Sequence, residues 1–474
     1  MHLFVTPWTA VGSLSARPAA LRNAPPLLLA RRPQGRSRNF AARPQRQLLR
    51  SEGGVPEIAR VFPEQYESLL DEKVERLQSL LADAVQHHDD DQSLPPIEVF
   101  RSPSTHFRMR ASFQVWREGV DPDATRHFVM YNRDDKLMPR EVLTYPMGSL
   151  RINALMGPTL EAISRSDVLQ RKVRDVSFLT TLSGEALISI SYNRPIDDEW
   201  FEEATALADT LDARIVGRSR GIKLVVGSET VSETLQIPGR GRCTYTQTEG
   251  SFTQPNAKVC EQMLGWAFDA TRGLEETDLC ELYCGNGCFT IALAPNFRRV
   301  VATELSKSSV HLAEGNVAAN GVTNVQVARM SAEEFVEAHA QLRRFRRLEE
   351  AGIDLGDAGG YRLETLFVDP PRAGLDAASR GLALALTIPL TLTYPNPNPN
   401  QASRGLAAGF ERVVYVSCNP ETLARDVTQL SATHDVARVA AFDQFPYTPH
   451  LECGVVLQAK SDAVAVDRPE YGRE

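Results

Sequence analysis

Residues Leu279-Cys-Glu-Leu-Tyr283, followed by Cys284-Gly-Asn-Gly287 and Cys288-Phe-Thr290, decide the fold. A short apolar run, a glycine turn and a helix-forming run read as strand, turn and helix start. The glycines allow backbone to approach a ligand, and a helix N-terminus favours a carboxylate or phosphate. Glu304 stands nineteen residues after Gly285 and ends a second strand. An acid there commonly receives the two ribose hydroxyls of an adenosine cofactor. Dinucleotide enzymes share these features, but Thr290 replaces the third glycine of G-x-G-x-x-G, which removes the close helix contact of a pyrophosphate site. S-adenosylmethionine, with adenosine and no phosphate, fits the residues better. Cys280, Cys284 and Cys288 match neither a zinc nor an iron–sulfur spacing and read as structural, so no metal is expected.

Outward from this stretch the pattern is regular. Beyond Pro238, β-rich runs at 279–283, 299–303, 324–328, 363–369 and 412–416 alternate with helical stretches at 256–272, 306–320 and 332–344. This predicts an α/β fold in which 236–462 is a doubly wound, Rossmann-like domain with its ligand at the carboxyl ends of the strands. Residues 381–403 interrupt it with 23 uncharged residues including four prolines, read either as a surface excursion or as translated non-coding sequence. Upstream, Tyr66, Leu69, Leu70, Val74, Leu77, Leu80, Leu81 and Val85 recur at helical spacing, on a helix expected to pack on the next domain. From His106 to Arg117 apolar and polar residues alternate strictly, as in a half-buried strand, with further alternation at 128–131, 186–192 and 222–226. Residues 51–235 therefore read as an α+β domain with an antiparallel sheet, and 463–474 as a tail.

Two more strand ends carry chemistry. The fourth delivers Asp369-Pro-Pro-Arg372, whose prolines fix an extended turn at the pocket mouth. The fifth delivers Ser417-Cys418-Asn-Pro420 to the same edge. A thiol ahead of a helix start and near Arg372 is expected to gain thiolate character, which makes Cys418 the candidate nucleophile. Glu452, within His450-Leu-Glu-Cys-Gly454, places a carboxylate at the start of the last strand run and is the candidate base.

Over 474 residues, 42% hydrophobic and 24% charged, the chain can bury more than one core. Its apolar runs fall short of a bilayer span, so no membrane partner is expected. Residues 1–50 hold nine arginines and no Lys, Asp or Glu, which leaves 51–474 at −17. An Arg-rich, acid-free leader reads as an organelle transit peptide, mitochondrial or plastid; the alternative is a disordered basic tail or an over-extended gene model on a cytoplasmic protein. The acidic body excludes nucleic-acid binding through bulk charge, so RNA contact requires local patches. Arg108 and Arg110 on one strand face, with Arg214, Arg218, Arg220 and Lys223, supply one; a solvated basic face is the alternative.

The motifs RSPSTHFRMRASF, RDVSFLTTLSGEA, SFTQPNAKVCEQML, ELYCGNGCFT, VDPPRAGLD, VSCNPETL and FDQFPYTPHLECG, in this order over 57–460, closely resemble the bacterial tRNA (uracil-5-)-methyltransferase family. The resemblance implies methyl transfer from S-adenosylmethionine to C5 of the T-loop uridine, position 54, of tRNA. It implies that Gln254, Tyr283, Glu304 and Asp369 bind the cofactor, that Cys418 attacks C6 of a flipped base, and that Glu452 removes the C5 proton. The T arm of tRNA is the implied partner, met by Arg108, Arg110 and Arg372. Alternative readings are uracil methylation of another stable RNA (rRNA or tmRNA), a non-catalytic tRNA-folding chaperone and, more distantly, a pyridine-nucleotide oxidoreductase. The chain departs from the family at Cys288, where bacterial members have Asn, and at Arg174, in a stretch where a bacterial relative has an aromatic.

Overall fold

The structure, a computed structural model, describes residues 47–86, 93–120, 124–132, 138–356, 360–375, 377, 379–380 and 410–460. The leader up to residue 46, the excursion at 381–403 and the tail at 463–474 lie outside the described residues. Residues 47–50, counted with the leader in the sequence reading, are ordered. Leu48 is buried, and Leu49 donates to the Pro139 carbonyl at 2.8 Å and accepts from Glu141 N at 2.9 Å.

The first strands in the chain are β1 (Ile97–Phe100), β2 (Arg110–Glu118), β3 (Thr125–Met130), β4 (Arg140–Glu141), β5 (Val173–Thr180), β6 (Ala186–Tyr192), β7 (Arg214–Ser219) and β8 (Ile222–Val226). A hairpin follows, β9 (Thr230–Ile237) and β10 (Gly241–Thr248). The remaining strands are β11 (Leu274–Leu282), β12 (Phe297–Glu304), β13 (Val325–Arg329), β14 (Leu363–Val368), β15 (Arg412–Ser417), β16 (His434–Phe442) and β17 (Glu452–Ala459). The helices are α1 (Tyr66–Gln86), α2 (Leu150–Arg165), α3 (Asp198–Leu211), α4 (Ala257–Ala270), α5 (Cys288–Leu293), α6 (Lys307–Ala319), α7 (Ala332–His339), α8 (Arg346–Glu350) and α9 (Pro420–Leu430).

One sheet has the order β4-β3-β2-β5-β6-β7-β8 and is antiparallel except where β6 pairs with β7. On one face Phe113, Phe128 and Phe178 pack together, with Ile152 of α2 and Trp200 of α3 in the same core. Strand β6, expected to alternate, is instead buried at every position, because Leu187 and Val216 on the other face pack with Val231 of the hairpin. The other sheet has the order β1-β16-β17-β15-β14-β11-β12-β13. Its middle is parallel, and β17 enters antiparallel between β15 and β16. Helices cover this sheet, so residues 277–282 of β11 are buried without alternation. The α/β, doubly wound architecture is as expected.

The helix over 66–86 forms, and its stripe of Leu77, Leu81 and Val85 joins the core of the second sheet and packs on α9. Strand β1 also leaves the 51–235 segment to pair with β16. The expectation that this helix packs on the next domain is therefore corrected, because periodicity identifies an apolar face but not what covers it. The β9–β10 hairpin is tied to α6 by Asn316, which accepts from Thr246 N at 2.7 Å, and Asn320, which accepts from Thr244 N at 2.9 Å.

Candidate active site

The strand ends of the second sheet converge as the α/β pattern requires. Beyond β11, Tyr283 adopts φ +62°, a left-handed conformation that side chains disfavour. Gly285 and Gly287 follow at +58° and +81°, where glycine carries no such cost. The turn folds back on β12: Gly285 N donates to Glu304 Oε2 at 3.2 Å, and Ser306 N to Glu304 Oε1 at 2.7 Å. Glu304 is thus aimed before any ligand arrives, with lone pairs left on both oxygens. The Tyr283 hydroxyl lies 3.1 Å from Ser379 Oγ.

Asn256 caps α4, accepting from Val259 N at 3.2 Å, and donates to Ser102 Oγ at 2.7 Å. This fixes the preceding Gln254, whose Oε1 accepts from Gln444 Nε2 at 3.3 Å. Gln444 is itself buried, and its Oε1 accepts from Asn256 N at 2.9 Å. Asp369 leaves β14 into the Pro-Pro turn, which is tied down by buried Asp426 accepting from Leu375 N at 2.9 Å and Tyr415 Oη at 2.8 Å. Asn419 Nδ2 donates to the Arg372 carbonyl at 3.2 Å and so joins the loops after β14 and β15. Glu452 opens β17, 3% exposed. The loop before it is held by α1: Lys73 Nζ pairs with Asp443 Oδ1 at 2.7 Å and donates to the Phe445 carbonyl at 3.0 Å.

A cavity of about 960 Å³ lies at this edge, and Arg108, Arg110, Gln254, Tyr283, Glu304, Asp369, Arg372, Cys418 and Glu452 all line it. All nine residues singled out in the sequence are thus brought together. Sequence reasoning missed Glu281, Phe252 and Phe445, which also line it. Glu281 sits within a buried strand run that gives no sign of which side chain reaches the cavity; Phe252 is 73% exposed, and its aromaticity beside the Gln-Pro-Asn motif was the available signal.

Charge in the cavity is dominated by carboxyls. Burial raises Glu281 to about 8 and Asp369 to about 7, and burial together with Asp369 pushes Glu452 well above its usual range. Glu281 Oε2 has no hydrogen-bond partner among the described residues. Clustered carboxyls held above their normal range favour a cation and repel a pyrophosphate. The residues therefore fit a sulfonium-bearing adenosine cofactor, with Glu304 for its ribose.

Cys418 corrects an expectation. Burial and Glu452 raise its thiol, and Arg372 opposes them without prevailing. The helix start offers little help, because Asn419 N is taken by Ser417 Oγ and Glu421 N by Asn419 Oδ1, both at 3.2 Å, and Pro420 has no N–H. Cys418 is therefore held as the thiol.

The basic patch is also narrower than its sequence. Arg214 pairs with Glu185 at 2.7 Å, Arg218 with Glu249, and Lys223 with Glu229. Arg108 and Arg110 make no ion pair among the described residues; Arg108 Nε donates to the Arg110 carbonyl at 3.0 Å. Burial and the Arg108 charge lower the Arg110 guanidinium below its usual value, a site short of anions.

The family model described as tRNA (Uracil-5-)-methyltransferase matches residues 65–460. A tRNA/tmRNA (uracil-C(5))-methyltransferase of Ectopseudomonas mendocina is 48% identical over 404 residues, which cover 85% of this chain and 99% of that protein. One of the same name from Vibrio parahaemolyticus is 45% identical over 407 residues, again 85% and 99%. The crystal structure of a Pyrococcus abyssi tRNA (uracil-54, C5)-methyltransferase with S-adenosyl-L-homocysteine superposes with a TM-score of 0.56 at 20% identity, over 83% of each chain, a likeness of fold.

Proposed function

The chain belongs to the tRNA (uracil-5-)-methyltransferase family, and from that premise we propose that it methylates C5 of the T-loop uridine at position 54 of tRNA through a covalent bond between Cys418 and C6. The observation that carries the reading is the single cavity in which a thiol, a buried carboxyl and a carboxyl-rich cofactor wall meet. S-adenosylmethionine, when bound, supplies an electrophilic methyl group on a sulfonium.

The chain's own residues do the rest. Glu304 accepts the ribose hydroxyls, and Gln254 and Tyr283 frame the adenosine. Glu281 and Asp369 stand where positive charge is favoured, and a cation among them lowers Asp369 and Glu452 towards their ionised forms. Cys418 loses its proton to water and its sulfur adds to C6, which makes C5 electron-rich. After C5 is methylated, ionised Glu452 removes the C5 proton, the C5–C6 double bond re-forms and the sulfur departs. Arg372, next to Cys418, and unpaired Arg108 and Arg110 suit phosphates flanking a uridine turned out of its stack, and Phe252 offers a stacking face.

A second reading, tmRNA as a further substrate, is favoured by the names of the relatives. The test is methylation of T-arm and tmRNA transcripts with labelled S-adenosylmethionine, followed by mapping of the modified base. Label at C5 of uridine 54 is expected; label confined to cytosine or to positions outside the T loop contradicts the reading.

A further inference from the structure

Two cysteines outside the proposed chemistry meet in the cofactor wall. Cys260 projects from α4 and is 3% exposed; Cys288 opens α5 and is partly exposed; both line the cavity. Their sulfurs are 3.9 Å apart. A disulfide needs about 2.05 Å, so the gap to close is about 2 Å. Cys288 is also held from the hairpin side, where Tyr245 Oη donates to its carbonyl at 3.1 Å. It directly follows Gly287, which packs in ordinary contact with Ala313 of α6, 3.4 Å from where a Cβ would be.

We propose that Cys260 and Cys288 form a reversible disulfide, made by a hydroperoxide and opened by a small thiol, and that its closure displaces the glycine turn and weakens cofactor binding. The Cys288 thiolate attacks the hydroperoxide: an S–O bond forms, the O–O bond breaks and an alcohol or water leaves. The Cys260 sulfur then attacks the sulfenic sulfur, forming S–S and breaking S–O, and the oxygen departs as water with the Cys260 proton. Two electrons pass from the sulfurs to the peroxide. Cys288 is the sulfur that reacts first, because it faces the cavity and Cys260 is enclosed. By linkage, bound cofactor disfavours the disulfide by the factor by which the disulfide weakens binding.

The binding half rests on the proposed assignment of this cavity to S-adenosylmethionine. The full chain carrying Cys418→Ala, which removes the competing reactive thiol, is treated with hydrogen peroxide, alkylated and mapped by peptide mass, and its affinity for S-adenosylhomocysteine is measured before and after. The expected result is a Cys260–Cys288 linked peptide that dithiothreitol dissolves, with affinity lower by at least about fivefold, within the usual range of coupling. A Cys260→Ser, Cys418→Ala double variant keeps the same affinity before and after peroxide. Absence of the link, a link to Cys243 instead, or a link that leaves affinity unchanged overturns the proposal. Reduced protein that binds no S-adenosylhomocysteine at all contradicts the cofactor assignment, while the mass map still decides the disulfide.

Discussion

The two sheets meet the cavity with opposite chemistry. The parallel sheet sends in Glu281, Glu304 and Asp369, carboxyls fixed at or beside strand ends, and its antiparallel last strand adds Glu452; the antiparallel sheet sends in Arg108 and Arg110 from the start of one strand. The acidic wall suits a cationic cofactor, and the basic pair suits a polyanion. In a chain whose body carries −17, Arg108 and Arg110 make no ion pair among the described residues, while Arg214, Arg218 and Lys223 are paired with Glu185, Glu249 and Glu229.

The largest effects are expected where both walls converge on the reacting base. Cys418→Ala is expected to lower methyl transfer by at least about a thousandfold while changing cofactor affinity by less than about threefold. Single-turnover rates and calorimetry check this, and a parallel loss of cofactor binding would show that the cavity is not divided as described. Glu452→Gln is expected to slow turnover by about 10²–10⁴ and to accumulate a methylated covalent RNA adduct, seen as a shifted band on a denaturing gel, because elimination lacks its base.

On the basic side, a double Arg108→Glu, Arg110→Glu variant is expected to weaken T-arm binding by at least about tenfold and to flatten its salt dependence, with cofactor binding intact. Lys223→Glu, at a cation already paired, is expected to change RNA affinity by less than about twofold in the same filter-binding titration. Equal effects from the two would erase the distinction between paired and unpaired cations.

The acidic side yields a pH effect of fixed sign. Asp369 near 7 and Glu281 near 8 carry protons that a cation expels, so binding of S-adenosylmethionine is expected to release protons at pH 7 and to tighten between pH 6 and 8.5. Calorimetry in buffers of different ionisation heat measures the release. Folding stability follows the opposite course in the free protein. Carboxyls raised above their unfolded values favour the fold at low pH, and that contribution is lost as pH rises through about 7 to 8.

How much the sequence reveals differs between the same two regions. In the parallel sheet the ligand edge is fixed by topology, so Tyr283, Glu304, Asp369 and Cys418 could be placed by counting to strand ends. Glu281 escaped because β11 is buried on both faces and gives no alternation. In the antiparallel sheet, alternation placed Arg108 and Arg110 on one face but not against the cavity, since that depends on Met109 N donating to the Pro255 carbonyl at 2.8 Å across a long chain separation. Charge pairing was equally hidden, because Arg218 and Glu249 are far apart in sequence and adjacent only in the fold. The Cys418 thiolate was misjudged because a motif shows Arg372 and a helix start but not the burial, or the Glu452 carboxyl, that outweigh them.

The proposed mechanism turns on a transient bond from Cys418 to the uracil ring. A T-arm RNA carrying 5-fluorouridine at position 54 blocks loss of the C5 substituent, so incubation with the protein and S-adenosylmethionine should leave a stable crosslink that peptide mapping assigns to Cys418. Complete absence of a crosslink, or one that persists undiminished in Cys418→Ala, contradicts the account.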